Sequence, residues 1–379
     1  MTRTTELRGI TWEHARGYGS VAAAAEAYRS VAPDVEVKWE FRSLQAFADQ
    51  PLEQLVETYD LLVIDHPHIP FAAENGLFAR LDGVGHDDEL ALLASQTVGV
   101  SHASYGHAGH QYGLAIDAAS QVAAYRPDLL DEPPRTWEQA LTLARAGRVL
   151  WPFKPVDAFS SLVTVAANGG VEAMRQPGVF LPRDVLGETM QLLAELASLV
   201  PPDNSTWNPI QAADALNQGD TYAYCPLLFG YVNYSRAGFR PHRLAYVDIP
   251  SRGVGVHGSL LGGAGIAISA HSAHLDAAID HAFWLDSAAV QEGVYFDGGG
   301  QPGNAVAWES DRINANSLDF FRGTRATLEG AYLRPRDVAY IELQNEASPL
   351  VTRALVGDLP LDDLGDALDA HTAIHLKGH

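Results

Sequence analysis

The chain has 379 residues, of which 47% are hydrophobic and 19% are charged, so it is long enough for two globular domains and too apolar for a disordered chain. Its formal net charge of −22 repels phosphate groups at long range, which excludes nucleic acid as a partner. One cysteine, Cys225, excludes an intramolecular disulfide, and the lack of an 18-residue apolar run excludes membrane insertion by a helix.

Strand and helix signals alternate from the start of the chain. Apolar periodicity predicts, in order, a strand at 7–12, a helix at 19–30, a strand at 35–41, a helix at 44–59 and a buried strand at 61–64. This alternation predicts a parallel sheet with helices on both faces.

The same α/β pattern continues to the end of the chain. Thr136 is predicted to cap a helix at 137–146, after a proline-rich stop. The other predicted helices cover 86–96, 183–199, 210–217, 273–286, 317–331, 341–355 and 362–372, and the other predicted strands cover 111–116, 221–226 and the glycine-rich segment 262–268.

Six short segments, in this order, resemble the extracellular solute-binding family that includes maltose-binding and other sugar-binding proteins. The segments are 112–117 (YGLAID), 125–130 (YRPDLL), 134–138 (PRTWE), 217–224 (NQGDTYAY), 262–272 (GGAGIAISAHS) and 291–302 (QEGVYFDGGGQP). No segment is specific alone, but their shared order extends the resemblance over residues 110–375.

This resemblance implies an α/β fold of the periplasmic-binding-protein-like type II, with two discontinuous lobes around a ligand cleft. Lobe I is expected to comprise 1–113 and 266–308, and lobe II 114–265 and 309–376, with 377–379 a purification-tag remnant. The family also implies hinge closure, a monomer, and a small polar, sugar-like ligand that an exported protein passes to an ABC transporter permease. We expect no cofactor and no resident metal.

Candidate ligand-binding residues follow the predicted strands of the first lobe, because ligands bind beyond the carboxyl ends of strands in open α/β sheets. Trp12, Glu13 and His14 follow the first strand, and Asp65, His66 and His68 follow the third. An aromatic face beside carboxylates and imidazoles suits a polyol. Core packing of Trp12 and a solvated loop at 13–14 remain alternatives.

Three histidines cluster in the segment 101–110, before a predicted crossing between the lobes. Tyr105 and His107 are candidate ligand residues there. A metal site built from His102, His107 and His110 is a second interpretation, and a plain exposed loop is a third, because the spacing matches no familiar metal motif.

Aromatic residues and glycines supply the remaining candidates. Trp151 and Trp207 lie in proline-flanked loops, and Tyr224 lies in a predicted strand of the second lobe. In the family that the chain resembles, such aromatic side chains often stack on the ligand. Gly299, in a run of three glycines, is a candidate for close approach of backbone to ligand, with a simple turn as the alternative.

The alternative function is a cytoplasmic enzyme on the same fold: a lyase, isomerase or hydrolase using His14, Asp65 and His66 as acid and base. Its motivation is that residue 1 leads directly into a strand, without an apolar signal segment. As it stands, this start predicts a cytoplasmic protein; removal of a signal peptide would instead place it in the periplasm or outside the cell. A cytoplasmic sensor subunit is a third possibility. The sequence contains no nucleophile elbow, Walker loop, HExxH or dinucleotide motif.

Overall fold

The computed structural model of the protein describes residues 4–43 and 51–376. The predicted helix at 44–59 therefore lies partly outside the described residues, and the predicted tag remnant at 377–379 lies wholly outside them. None of the described helices is both long and apolar enough to cross a lipid bilayer.

Among the described residues, helices and strands alternate one by one only up to residue 74, and further along the chain several strands or several helices follow one another. The strands are β1 (Thr5–Trp12), β2 (Val35–Arg42), β3 (Leu61–Ile64), β4 (Gly106–His107), β5 (His110–Gln111), β6 (Gly113–Leu114), β7 (Ala119–Tyr125), β8 (Tyr224–Phe229), β9 (Ala245–Val247), β10 (Leu261–Gly262) and β11 (Gly265–Ile268). The helices are α1 (Ser20–Tyr28), α2 (Leu52–Val56), α3 (Ile69–Glu74), α4 (Asp87–Ser95), α5 (Trp137–Arg145), α6 (Pro155–Asn168), α7 (Arg183–Leu199), α8 (Pro209–Leu216), α9 (Leu275–Asp286), α10 (Ala288–Val290), α11 (Ala305–Glu309), α12 (Asp311–Asn316), α13 (Phe320–Glu329), α14 (Tyr340–Leu355) and α15 (Leu361–His375).

The chain divides into two compact units, each made of two stretches of sequence. Unit 1 comprises Met1–Ala118 and Gly262–Ala315, and unit 2 comprises Ala119–Leu261 and Asn316–His379. The predicted lobe boundaries and the hinge stay predictions.

The sheet of unit 1 has the order β2-β1-β3-β11-β6. β1 runs parallel to β2 and to β3, as the alternation of strands and helices predicted. β11 is antiparallel to both of its neighbours, so the parallel arrangement predicted from the first three strands does not extend to the whole sheet. β11 enters this sheet only after the chain has passed through unit 2, and no local crossover helix fixes its direction.

Strand β3 explains why this sheet has helices on both faces. Leu61 and Val63 belong to one apolar core, and Leu62 and Ile64 to another, because successive side chains of a strand point to opposite faces. All four side chains are at most 1% exposed. Burial of such a side chain contributes about 1.5–3 kcal/mol, which fixes β3 at the centre of unit 1.

The sheet of unit 2 is built differently. β7 pairs antiparallel with both β8 and β9, so the parallel arrangement of β1, β2 and β3 is not repeated here. The partner β8 begins about a hundred residues after β7 starts, so the helices between them do not act as a single βαβ crossover. α6 and α14 contribute to the same apolar core as this sheet.

Several predicted boundaries were displaced by backbone geometry. The strand predicted at 221–226 begins at Tyr224, after a turn in which Gly219 has a positive φ of 65°. The helix predicted at 317–331 begins at Phe320, since Asp319 is left-handed with a φ of 53°. The strands predicted at 111–116 and 262–268 are each interrupted. By contrast, the helix predicted at 183–199 and the Thr136 cap were confirmed.

Candidate functional site

The carboxyl ends of the parallel strands β2, β1 and β3 meet at one edge of the unit 1 sheet. Trp12 at the end of β1 pairs with Arg42 at the end of β2, and β1 pairs on its other side with β3. Glu13 and His14 therefore follow β1 at the same edge at which Asp65 follows β3. We call this edge, with residues 12–16, 42, 65–68 and 117, the carboxyl edge.

The turn after β1 exposes polar groups and buries an aromatic ring. His14 caps the following helical turn, and its Nδ1 accepts a hydrogen bond from the Arg16 backbone N–H at 3.0 Å. In a neutral ring this places the proton on Nε2, which makes His14 a donor at the edge. Glu13 is exposed. Trp12 is only 6% exposed, and its ring lies so close to Gly17 that a Cβ there would be 2.5 Å from it.

A buried ion pair, missed by the sequence analysis, joins this turn to the segment after β6. The Nε of Arg16 lies 2.7 Å from one carboxylate oxygen of Asp117, and its Nη2 lies 2.5 Å from the other. Both side chains are buried. Asp117 is held in turn by reciprocal backbone hydrogen bonds with Ala264. An arginine directly after a strand end, inside a glycine-containing turn, is the signal that could have revealed this pair.

The segment after β3 offers fewer accessible groups than the sequence suggested. Asp65 and His68 are half-buried, whereas His66 is fully buried. Burial lowers the pKa of the nearby Arg42 guanidinium, and the charge of Asp65 opposes that shift. Asp65 and Arg42 therefore form an electrostatically coupled pair at the carboxyl edge.

Tyr105, predicted as a ligand residue, lies beneath this edge and is buried. It is 2% exposed, and its hydroxyl donates to the Ile64 carbonyl oxygen at 3.3 Å. Its ring contacts His66 edge-on, with ring centroids 6.3 Å apart. A Cβ on Gly265 would lie 2.3 Å from this ring, so the glycine in β11 allows the Tyr105 ring to pack directly against the backbone of the strand.

The histidine-rich segment forms a small hairpin, β4–β5, tied down by carboxylates. His107 lies 3.3 Å from Glu74, and His110 lies 3.0 Å from Asp82. Although burial opposes it, hydrogen bonds from Arg80, the backbone and His110 hold the pKa of Asp82 well below its usual range. Among the described residues these histidines do not converge on a shared metal position. Each of these contacts joins one histidine to a different carboxylate, so the hairpin offers no support for the metal interpretation.

Trp151 and Tyr224, predicted as ligand-stacking residues, lie in the apolar core of unit 2. Both are 0% exposed. Trp151 stacks on Phe153, and its indole N–H donates to the Ser161 hydroxyl at 3.1 Å. The Leu150 N–H donates to the Tyr224 carbonyl oxygen, so the predicted loop runs alongside β8. Prolines near Trp151 indicated a loop, but backbone pairing with a buried strand decided its environment.

The last two candidates have contrasting environments. Trp207 is half-buried and ends a 3₁₀ turn, so part of its ring surface is accessible. Gly299 is buried with a φ of 109°, and a Cβ there would lie 2.8 Å from the Ala15 carbonyl oxygen. Gly299 thus permits close packing against the turn after β1, and this contact accounts for the glycine without a ligand.

Unit 2 contains a buried carboxyl group that the sequence analysis did not select. Asp157 is 4% exposed in the first turn of α6, and its Oδ2 makes no hydrogen bond among the described residues. Burial raises the pKa of Asp157 to about 7, against the opposing charge of Lys154. Burial also raises the pKa of the Cys225 thiol, to which Asp157 adds a smaller effect, so Cys225 is an unreactive packed thiol.

Comparison with protein families gives a match over most of the chain. The model of the bacterial extracellular solute-binding protein family matches residues 23–320. A curated relative, the maltotriose-binding protein of Pyrococcus abyssi, is 25% identical over 174 residues, which are 43% of this chain. That alignment spans 37% of the relative's length.

Solved structures of low sequence identity share the fold. Maltose-bound MalE3 of T. maritima superimposes with a TM-score of 0.85 at 16% identity, over 98% of this chain and 100% of that one. A solute-binding protein of an ABC transporter from Agrobacterium radiobacter K84, in complex with ribitol, gives a TM-score of 0.79 at 20% identity over 99% of both chains. The predicted fold of the type II periplasmic binding proteins is thereby confirmed.

Proposed function

Because the chain belongs to the bacterial extracellular solute-binding protein family, we propose that it binds one small polar, sugar-like molecule and passes it to an ABC transporter permease. The observation that carries this proposal is the carboxyl edge, where polar side chains from adjacent parallel strands meet. Family membership also supports action outside the cytoplasmic membrane after export. One protein molecule is proposed to bind one ligand as a monomer.

The chemistry of the carboxyl edge suits hydroxyl groups. Carboxylates of Glu13 and Asp65 accept hydrogen bonds from hydroxyls, and the Nε2–H of His14 donates one. The Arg16–Asp117 pair is internally neutralised, so it adds rigidity without a strong net charge. The half-exposed Trp207 of unit 2 remains a proposed stacking residue.

A sugar-like ligand is supported by the named ligands of similar proteins. The relative from Pyrococcus abyssi is a maltotriose-binding protein, and the similar structures contain maltose and ribitol. These ligands share several adjacent hydroxyls and lack a net charge. We therefore propose a neutral polyol or oligosaccharide for this protein.

The enzyme alternative, with His14, Asp65 and His66 as acid and base, gains no support from these side chains. His66 is fully buried, and Nδ1 of His14 is engaged as a helix cap. A general base must reach the proton that it removes, and neither group has an arrangement that favours this task.

The first experiment is a thermal-shift screen of refolded protein against maltose, maltotriose, ribitol and mannitol, with mass analysis of each compound after incubation. A binding protein is stabilised by RT ln(1 + [L]/Kd), about 2.7 kcal/mol at a ligand concentration of 100 Kd, and returns the ligand unchanged. Consumption of the stabilising compound would instead establish the enzyme alternative.

Two variants locate the site. Glu13→Gln and Asp65→Asn should each raise the Kd about tenfold or more, because each removes a charged hydrogen-bond acceptor. Glu26→Gln, an exposed carboxylate on α1, is the matched control and should leave the Kd unchanged. Equal affinity of all four proteins, measured by calorimetry, would contradict a ligand site at the carboxyl edge.

A further inference from the structure

The last helix of unit 2 carries two histidines one turn apart. His371 and His375 are four residues apart in α15, which places them on one face of the helix. Their rings are nearly parallel, with an interplanar angle of 14° and centroids 6.3 Å apart. The two imidazole rings can therefore contact the same side chain.

That partner is a carboxylate on the preceding helix, α14. One oxygen of Glu346, Oε2, lies 2.9 Å from Nδ1 of His371 and 2.7 Å from Nε2 of His375. Nδ1 of His371 is buried and makes no hydrogen bond among the described residues. The electrostatic contact is close, but this ring nitrogen retains its capacity for a ligand bond.

We infer that Glu346, His371 and His375 form a binding site for a divalent transition-metal ion, best served by Zn²⁺. Among the described residues, theirs is the group whose ligand atoms all lie within 4.8 Å of one another. Two imidazole nitrogens and one carboxylate oxygen are a ligand set that zinc accepts, with water in the fourth position. The Glu346 side chain is 51% exposed, so water reaches the site.

The distances are compatible with insertion of an ion. Tetrahedral zinc with bonds of about 2.0–2.1 Å separates its ligand atoms by about 3.3 Å. The nitrogen-to-oxygen distances of 2.7 and 2.9 Å therefore need to widen by about half an ångström. Small rotations of the Glu346 side chain can widen these distances, because this side chain is exposed and is not fixed by packing.

The surroundings favour a cation at this position. Both histidines lie in the last turns of α15, where the helix dipole presents its negative end. The chain as a whole carries a net charge of −22, which attracts divalent cations. Beneath the cluster, Leu364 and Leu368 of α15 and Val351 of α14 belong to the core of unit 2. A bound ion would fasten the last helix to this core.

The test uses full-length protein without a polyhistidine tag, stripped with a chelator and titrated with ZnCl₂ in a calorimeter. We expect one ion per chain and a higher Tm with zinc. His371→Ala, His375→Ala and Glu346→Gln should each weaken binding at least tenfold. His271→Ala removes a histidine that contacts a single carboxylate, Glu57, at 2.6 Å, and should bind zinc like the unmodified protein.

Cobalt provides a second readout that does not depend on stability. Co²⁺ at a site with two histidines, one carboxylate and water should give visible absorption bands of a tetrahedral ion, and these should vanish in His375→Ala. The proposal would be overturned if the unmodified protein showed no saturable zinc binding, or if the three site variants bound zinc as tightly as the unmodified protein. Sugar binding is measured separately on the same variants and should not change, so failure of one proposal leaves the other standing.

Discussion

The charge state of Asp157 depends on its burial in unit 2. The positive end of α6 and the charge of Lys154 favour the carboxylate, yet burial raises the pKa of Asp157 to about 7. Transfer of a carboxylate from water into a protein interior is costly, so the folded protein holds the proton.

This shift predicts a specific pH dependence of stability. In the unfolded chain the carboxyl titrates near 3.8, so between this value and about 7 the unfolded state loses its proton while the folded state keeps it. Stability therefore falls as the pH rises through this window, by roughly 4 kcal/mol at 1.36 kcal/mol per pKa unit, and is constant above it. The Asp157→Asn variant has no carboxyl group at this position, so it should not show this fall in stability.

The measurement is the free energy of unfolding by urea at pH values from 4 to 8, for the unmodified protein and for Asp157→Asn. Because other groups also titrate, the informative quantity is the difference between the unmodified protein and Asp157→Asn at each pH. Asp203→Asn, at an exposed position, serves as the control and should track the unmodified protein. A difference that does not vary with pH would mean that Asp157 is ionised in the folded state.

At the scale of elements, local sequence fixes the helix ends in unit 2. α5 begins with a capping box in which the Gln139 N–H donates to the Thr136 hydroxyl and the Thr136 N–H donates to the Gln139 side chain. α8 begins with the equivalent arrangement at Asn208 and Gln211. These contacts satisfy backbone donors that no preceding turn can bond.

Removal of one cap should therefore destabilise unit 2 by a definite amount. Thr136→Ala should lower the free energy of unfolding by about 1 kcal/mol, and Thr136→Ser should restore most of it. Thr142→Ala is the matched control in the same helix: its hydroxyl donates to a carbonyl already inside the helix, so its loss should cost little. Equal effects at both positions, measured by chemical denaturation, would contradict a capping role.

At the scale of the whole molecule, the dominant electrostatic property is the net charge of −22. Like charges repel one another more strongly in the compact chain than in the unfolded chain, so the folded state is destabilised at low ionic strength. The Debye length falls from about 30 Å at 0.01 M salt to about 8 Å at 0.15 M.

Raising NaCl from 10 to 150 mM at pH 7 should therefore raise the Tm by a few degrees. Near the sequence pI of 4.9 the net charge vanishes, and the same addition of salt should have a much smaller effect. Scanning calorimetry at the two pH values makes the comparison. A salt effect of the same size at both would show that general screening of self-repulsion is not its origin.

Local sequence patterns were enough to predict the kinds of elements and much of their order. Apolar periodicity and caps are local, so α7, α5 and the central strand β3 could be predicted from neighbouring residues alone. The order of six short segments also identified the fold. Parallel pairing of β1 with β3 then placed the polar residues after both strands at one edge, as predicted from the properties of parallel sheets.

Contacts between side chains that are far apart in the sequence could not be predicted from local patterns and depend on the packing of the folded chain. Arg16 and Asp117 are about a hundred residues apart, and Glu346 reaches the two histidines of α15 only because α14 packs beside it. The direction of β11 and the burial of Trp151 were likewise set by partners from distant segments. A local pattern shows which face of a helix or strand is apolar. The element that packs against this face depends on the packing of the whole chain, and no local pattern encodes it.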